Sequence, residues 1–247
     1  MSGGLARPFA WPPIIAPAAY DPAAAQAIMR AIMGTGPGAE FASVIRSQVR
    51  NLNSVVAGFL SGRITEFTTP GVAVRAPGWN SSFVPVAGRF DHLRLVAAGG
   101  LIMPDKSLQL GVIVDGPFDE AVPAVVMFGI DRGGRRAPIF ASRPGLTPDA
   151  VVIVVVGPYG QSASGAVVDL RTGAASSLDA SRIRVEGPTV RAFVPLAQLP
   201  SAGQTAQRYR FTAWMQDRGG LDLAAVASFL PDAKMVQVGV APRPRGR

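Results

Sequence analysis

The spacing of apolar residues changes once along the chain. Up to about residue 60 they recur at intervals of three and four, the period of a helix face. Phe41, Val44, Ile45, Leu52, Val55, Val56, Phe59 and Leu60 follow this spacing, with Gln48 inside the stripe and Arg46 and Arg50 together on the polar side. The pattern predicts a helix over about residues 39–60. A shorter helix is predicted from Pro22 to about Met33, with Asp21 as N-cap, Pro22 in the first helical position and the run Gly34-Thr35-Gly36-Pro37-Gly38 ending it.

From Arg63 onward short runs of period two, or of continuous aliphatics, alternate with Gly and Pro turns. The predicted strands are Ile64–Thr69, Gly71–Arg75, Phe83–Ala87, Leu93–Ala98, Leu108–Val114, Val122–Ile130, Ala150–Val156, Gly165–Leu170, Ser181–Glu186, Thr189–Leu196, Arg208–Gln216 and Met235–Ala241. The run Val151-Val152-Ile153-Val154-Val155-Val156 is apolar on both faces, which suits a strand covered on both sides. Arg182-Ile183-Arg184-Val185-Glu186 alternates strictly, so one of its faces meets water. Glu186-Gly187-Pro188-Thr189 reads as a tight hairpin. Many strands without intervening helices predict a mainly β protein, an antiparallel β-sandwich of jelly-roll or DOMON-like type. The expected divisions are an extended Pro-rich arm over 1–20, a helical extension over 21–62, the sandwich over 63–241 and a basic Pro/Arg tail over 242–247.

The arm holds prolines 8, 12, 13 and 17, which favour polyproline II or edge-strand geometry. It also carries Phe9, Trp11, Ile14, Ile15 and Tyr20, too much apolar surface for a free tail, so it is expected to lie in a groove of its own domain or of a neighbour. The same prolines interrupt any signal-peptide core, and no run reaches the roughly 18 apolar residues of a membrane helix. An extracellular, cell-surface or virion location is expected, with no N-terminal signal peptide visible.

Composition narrows the chemistry. The 247 residues include no Cys and a single His, His92. That removes disulfides, thiolate nucleophiles, Cys-bound zinc and His-pair metal sites. His92 follows Asp91 at a predicted strand start and reads as a surface residue at a turn; no Gly-x-Ser-x-Gly elbow accompanies it. The acids are mostly isolated in turns, and Asp119-Glu120 reads as a solvated loop rather than a glycosidase pair. No catalytic residue, cofactor or metal ligand is expected, and the chain reads as a non-enzyme.

The formal net charge is +8, from 24 Lys and Arg against 16 Asp and Glu. Lys106 and Lys234 are the only lysines, so arginine carries the charge. Arg-rich composition with Ala, Gly, Val and Pro also follows from GC-rich coding. Two local clusters stand out as candidate anion contacts: Arg132, Arg135 and Arg136 around Gly133-Gly134, and Arg243, Arg245 and Arg247 in the tail. Either can meet nucleic acid or another acidic polymer nonspecifically, with steep salt dependence. Trp79, in the polar loop Ala-Pro-Gly-Trp-Asn-Ser-Ser, and Trp214, on a predicted strand, are candidate platforms for a sugar ring. Trp214 fits core or intersheet packing as well, and Trp79 fits an anchor at the junction of helices and sheet.

Several features recur in a fixed order between about Asp91 and Asp232. Leu93 to Ala97 comes first, then Leu108-Gln-Leu-Gly-Val-Ile-Val, then Phe128-Gly-Ile-Asp131-Arg-Gly-Gly. Pro148-Asp149 precedes the valine strand; Asp169-Leu-Arg-Thr-Gly173 and Val190-Arg-Ala-Phe-Val-Pro195-Leu-Ala-Gln-Leu199 follow, then the strand with Trp214 and finally Ser228-Phe-Leu-Pro231-Asp232. This order resembles the DOMON-like sandwich domains related to carbohydrate-binding module family 9. The resemblance implies a β-sandwich with a non-catalytic binding role. Many relatives carry further acidic or Asn residues after the position of Asp131 that can hold calcium. Arg132, Arg135 and Arg136 stand there instead, and a guanidinium repels a hard cation.

Two functions from different classes follow. One is a self-assembling structural subunit of coat, capsid, tail or surface-filament type, a homo-oligomer or larger assembly using its arm and helices for contacts. The other is a secreted or cell-surface carbohydrate-binding module.

Overall fold

A computed structural model describes residues 66–75, 95–114, 118, 123–134, 138–140, 143–216, 226–231 and 233–241. The predicted arm, both predicted helices, the strand expected over Phe83–Ala87 and the Pro/Arg tail lie outside the described residues.

The described chain is mainly β, and its strands form two sheets. In the first, β1 (Glu66–Thr69), β2 (Val72–Arg75), β3 (Leu95–Ile102), β4 (Ser107–Val114), β10 (Thr189–Pro195) and β9 (Ile183–Glu186) lie side by side in that order. In the second the order is β12 (Val226–Leu230), β11 (Arg210–Gln216), β5 (Ala124–Asp131), β6 (Ala150–Val156), β7 (Ala163–Asp169) and β8 (Ala175–Leu178). These neighbours are all antiparallel. Two short pieces extend the sheets: β13 (Val236–Gln237) pairs with β11, and β14 (Gly239–Val240) runs parallel to β3. Helical structure among the described residues is limited to short 3-10 turns. None of it is long and apolar enough to cross a membrane.

The two sheets share one core, which gives a sandwich-like architecture. Period two decides which side chains enter it. From the first sheet come Leu108, Leu110 and Val112 of β4 and Val190, Ala192 and Val194 of β10. The second sheet supplies Val126, Phe128 and Ile130 of β5, Val152, Val154 and Val156 of β6, and Phe211, Ala213 and Met215 of β11. Most of these are fully buried, and each of those larger than alanine contributes on the order of 1.5–3 kcal/mol.

The other face of the second sheet carries a separate apolar cluster. Val125, Met127, Val151, Trp214 and Phe229 form its floor, and Phe140, Leu146 and Met235 pack over them. Phe140 meets Trp214 edge-on at 5.4 Å and Phe229 edge-on at 4.8 Å between ring centroids. The guanidinium of Arg143 lies 4.7 Å from the centre of the Phe229 ring.

Local pattern and structure differ at several strand ends. The strand expected from Ser181 starts at Ile183, because the Asp179 carboxylate accepts the Ser181 N–H at 2.8 Å and caps a 3-10 turn. The strand expected over Met235–Ala241 divides into β13 and β14 around Val238, whose N–H bonds to the Tyr209 carbonyl at 2.8 Å. Strands β8 and β12 escape the pattern altogether: Ala-Ser-Ser-Leu has one buried apolar residue, Leu178. The hairpin read at Gly187-Pro188 is present, with Thr189 opposite Glu186 and Gly187 at φ 55°.

Candidate functional site

Three strand ends meet at one end of the sandwich. β5 runs out at Asp131, β6 starts after Pro148-Asp149, and β7 runs out at Asp169. The register sets Ile130 beside Ala150 and Ala150 beside Asp169. Arg132, Asp149 and Asp169 therefore converge although 37 residues separate the first from the last.

Arg132 is the centre of this cluster, with 1% of its surface exposed. Its Nε donates to Asp149 Oδ1 at 2.8 Å, and one Nη donates to Asp169 Oδ2 at 2.6 Å and to the Asp149 carbonyl at 3.3 Å. The other Nη donates to the Pro200 carbonyl at 3.3 Å. The planar fork of a guanidinium suits such divided bonding, which a lysine ammonium cannot reproduce. Burial pulls the Arg132 pKa down, but the bonds to Asp149 and Asp169 outweigh it and hold the pKa above the ordinary value.

The carboxylates are equally committed. Asp149 accepts the backbone N–H of Arg132 at 3.1 Å and of Gly134 at 2.7 Å through Oδ2. A Cβ on Gly134 would come within 2.5 Å of that oxygen, which is why the position is glycine. Asp169 Oδ1 accepts from the N–H groups of Arg171 at 2.8 Å and Thr172 at 3.2 Å. Burial raises the Asp169 pKa, and the bonds from Arg132, Arg171 and Thr172 more than reverse that, leaving it below the ordinary carboxylate value. A second, separate pair closes the strand end: Arg210, opposite Asp131 in register, donates to Asp131 Oδ2 through Nε at 2.8 Å.

Arg132 was expected to contact anions, and the structure corrects that expectation. Its donors face carboxylates and carbonyls inside the protein, so it has nothing to offer a phosphate. The guanidinium sits where two carboxylates converge, the place a cation would otherwise take. Among the described residues no group of three or more His, Cys, Asp or Glu is arranged to hold a metal ion. Gly133-Gly134 lets the chain fold back over Asp149; Gly133 adopts φ 93° and its N–H donates to Asp131 Oδ1 at 2.9 Å.

Of the two readings of Trp214, sugar platform or core packing, the structure shows core packing. It is fully buried in the second cluster and presents no ring face to a sugar. Its Nε1 is also buried without a hydrogen-bond partner. The remaining candidates lie outside the described residues: Phe9, Trp11, Ile14, Ile15, Tyr20, Trp79, His92, Arg135, Arg136, Arg243, Arg245 and Arg247.

One exposed aromatic was not singled out by the sequence reading. Tyr159, between β6 and β7, is 57% exposed and has φ 55°. The loop around it is closed by three backbone bonds, Gly157 N–H to Ser162 O at 2.8 Å, Gly160 N–H to Gly157 O at 3.1 Å and Gln161 N–H to Pro158 O at 3.2 Å. The motif Gly-Pro-Tyr-Gly was the available signal, since an aromatic between turn residues is displayed outward. A left-handed conformation costs an ordinary residue roughly 1 kcal/mol. Tyr159→Gly is accordingly expected to leave stability unchanged or raise it by up to about 1 kcal/mol in denaturant melts. A loss above about 1 kcal/mol would show that the ring makes a contact within the fold.

Comparison with protein-family models finds no match, and comparison with curated proteins finds none either.

Proposed function

We propose that this chain is a non-enzymatic, self-assembling β-sandwich subunit of coat, capsid, tail or surface-filament type, whose N-terminal extension makes the subunit contacts. The reading favours a jelly-roll or DOMON-like sandwich and a virion or cell-surface location. One observation carries it: a sandwich with two well-filled apolar clusters is preceded by a proline-broken arm bearing Phe9, Trp11, Ile14, Ile15 and Tyr20. Arms of this kind are a common means by which one subunit engages the next. Arg135, Arg136 and the tail arginines are the groups left to meet an acidic polymer in such an assembly. Light scattering and electron microscopy of the purified chain test the reading. A large, regular assembly is expected, and a monodisperse 25.7 kDa monomer would sink it.

A carbohydrate-binding module is the second reading, favoured by Tyr159 held outward on a tight loop. A rigid aromatic loses little entropy on stacking against a sugar. Trp79 is the other candidate platform. On a glycan array the wild type is expected to bind a neutral saccharide, and Trp79→Ala or Tyr159→Ala to lose at least tenfold of the signal. Absence of wild-type binding would remove this reading.

A further inference from the structure

Strand β8 ends the second sheet. It pairs with β7 on one side, and no described strand lies along its other side. The Asp169 N–H donates to the Ala174 carbonyl at 2.8 Å, which sets the phase of the ladder. Antiparallel bonding alternates, so Ser176 and Leu178 bond to Val167 and Gly165, and the N–H and C=O groups of Ala175 and Ser177 point out along the open edge. Native edges are commonly guarded by charged side chains. β9, which ends the first sheet, has Arg184 and Glu186 exposed. On β8 the exposed residues are Ala175, Ser176 and Ser177, small and uncharged.

The edge already holds a stand-in for a neighbouring strand. Gln198, in the 3-10 turn after β10, donates from Nε2 to the Ser177 carbonyl at 3.1 Å, the bond that the N–H of another strand would make. The match is half made: Gln198 Oε1 is buried without a hydrogen-bond partner, a costly state for an amide oxygen. A strand that takes over the Ser177 carbonyl frees the Gln198 amide to turn to water, where both of its ends are satisfied.

We propose that β8 is a strand-pairing surface for a second copy of this chain, the two β8 strands joining antiparallel about a two-fold axis at Ser176. The edge is self-complementary. With Ser176 opposite Ser176 of the second copy, Ala175 faces its Ser177 and Ser177 faces its Ala175, so every outward N–H of the two strands meets an outward C=O. No like charges meet along the strands, because their exposed residues carry none. Beyond the strand the same register sets Gly173 opposite Asp179, which brings the exposed Arg171 of one copy toward the exposed Asp179 of the other. A 4-residue strand buries far less than the roughly 1,200 Å² of a stable interface, so the pairing is transient on its own and is seen by trapping rather than by size. The inference goes beyond the proposed arm contact and stands without it.

The chain has no Cys, so a disulfide formed by a single introduced thiol always joins two copies. Ser176→Cys in the full chain is the probe: opposite Cα atoms at a non-hydrogen-bonded antiparallel site are about 4.5 Å apart, within the roughly 4.4–6.8 Å that a disulfide spans. Ala175→Cys, out of register with its own copy, and Ser164→Cys, exposed on β7, are the controls. Under mild oxidation Ser176→Cys is expected to dimerise at least tenfold faster than either control. Adding Ser177→Pro should abolish that excess, since it removes an outward N–H that β7 does not use; circular dichroism melts check that the sandwich is kept. Gln198→Ala, a change outside β8, should raise the Ser176→Cys rate at least threefold. Rates equal to the controls, or an excess that survives Ser177→Pro, would overturn the pairing, and an unchanged rate with Gln198→Ala would overturn the part given to Gln198. Sedimentation of the unmodified chain reads the proposed assembly separately. A chain that assembles without a Ser176→Cys excess keeps that function and refutes this contact; a clear excess without a large assembly supports this contact and removes that function.

Discussion

Arg132→Met is expected to cost about 3–5 kcal/mol of folding stability, the range seen when one partner of a buried ion pair is removed. The cost falls on the groups left behind. Asp149 is 1% exposed, so without the guanidinium its carboxylate stays in the interior with only the backbone N–H groups of Arg132 and Gly134 to solvate it. Asp169, with a quarter of its side chain exposed, can turn to water and loses less. Met fills most of the volume of the arginine stem, so a cavity contributes little. In guanidinium titrations the midpoint should fall with the slope unchanged. Adding Asp149→Asn to Arg132→Met removes the unpaired charge while keeping an acceptor for the N–H groups, and should recover part of the loss. A cost below about 1 kcal/mol would rank the cluster with surface ion pairs and refute its role as the fastener of three strand ends.

The same cluster sets a pH dependence. The carboxyl of Asp169 titrates below its ordinary value in the folded chain. Its stabilising contribution is therefore complete above the unfolded-state pKa, near 4, and is lost as pH falls through the lower folded-state value. Wild-type stability should decline on acidification below about pH 4. Arg132→Met removes a main cause of the shift, so the stability gap between the two proteins should narrow from pH 7 to about pH 3. A gap constant across that range would mean that Asp169 gains nothing from Arg132.

The sandwich was legible because most of its strands announce themselves locally. Val151 to Val156 is buried at four of its six positions, with Ile153 and Val155 half-buried, close to the two-sided cover that its composition predicts. The strand expected from Arg208 begins at Arg210, after a 3-10 turn, and the alternation that puts Phe211 and Ala213 into the shared core sends Trp214 to the opposite face. What the pattern cannot show is that the opposite face has a cover of its own. Phe140 and Leu146 come from a loop with no periodicity, so the pattern leaves Trp214 between a surface platform and core packing, and only the structure shows it buried. The arginine cluster is illegible for a related reason. Asp131, Arg132, Asp149 and Asp169 each look like turn residues at strand ends, and only the register of β5, β6 and β7 makes them neighbours. A charged residue at the end of an apolar strand was the available signal, and it does not reveal its partner. Strand β8 shows a third limit: Ala-Ser-Ser-Leu pairs with β7 through its backbone, and three of its four side chains are exposed.

If the proposed assembly forms, deleting residues 1–20 is expected to convert it to single subunits while leaving the unfolding of the sandwich unchanged. The magnitudes favour a decisive effect. Phe9, Trp11 and Tyr20 can bury roughly 150–250 Å² each, and with Ile14 and Ile15 they approach the ~800 Å² per partner of a stable interface. Burial of five such side chains is worth about 8–15 kcal/mol gross, comparable with the ~4–15 kcal/mol lost in ordering two bodies. An interface so balanced does not survive loss of its apolar part. Its single-residue form is Trp11→Ala, expected to weaken association by about 2–4 kcal/mol, a factor of roughly 30 to 1,000. Sedimentation velocity reads the association, and circular dichroism melts of the same samples read the fold. The two readouts separate the alternatives. A truncated chain that melts as the wild type does but no longer sediments as an assembly places the contact in the arm. A chain that still assembles transfers the contact to the sandwich itself or to the extension over residues 21–62. A chain that loses its cooperative melt would mean that the arm completes its own domain, and the apolar side chains at 9, 11, 14, 15 and 20 would then be core residues rather than contacts.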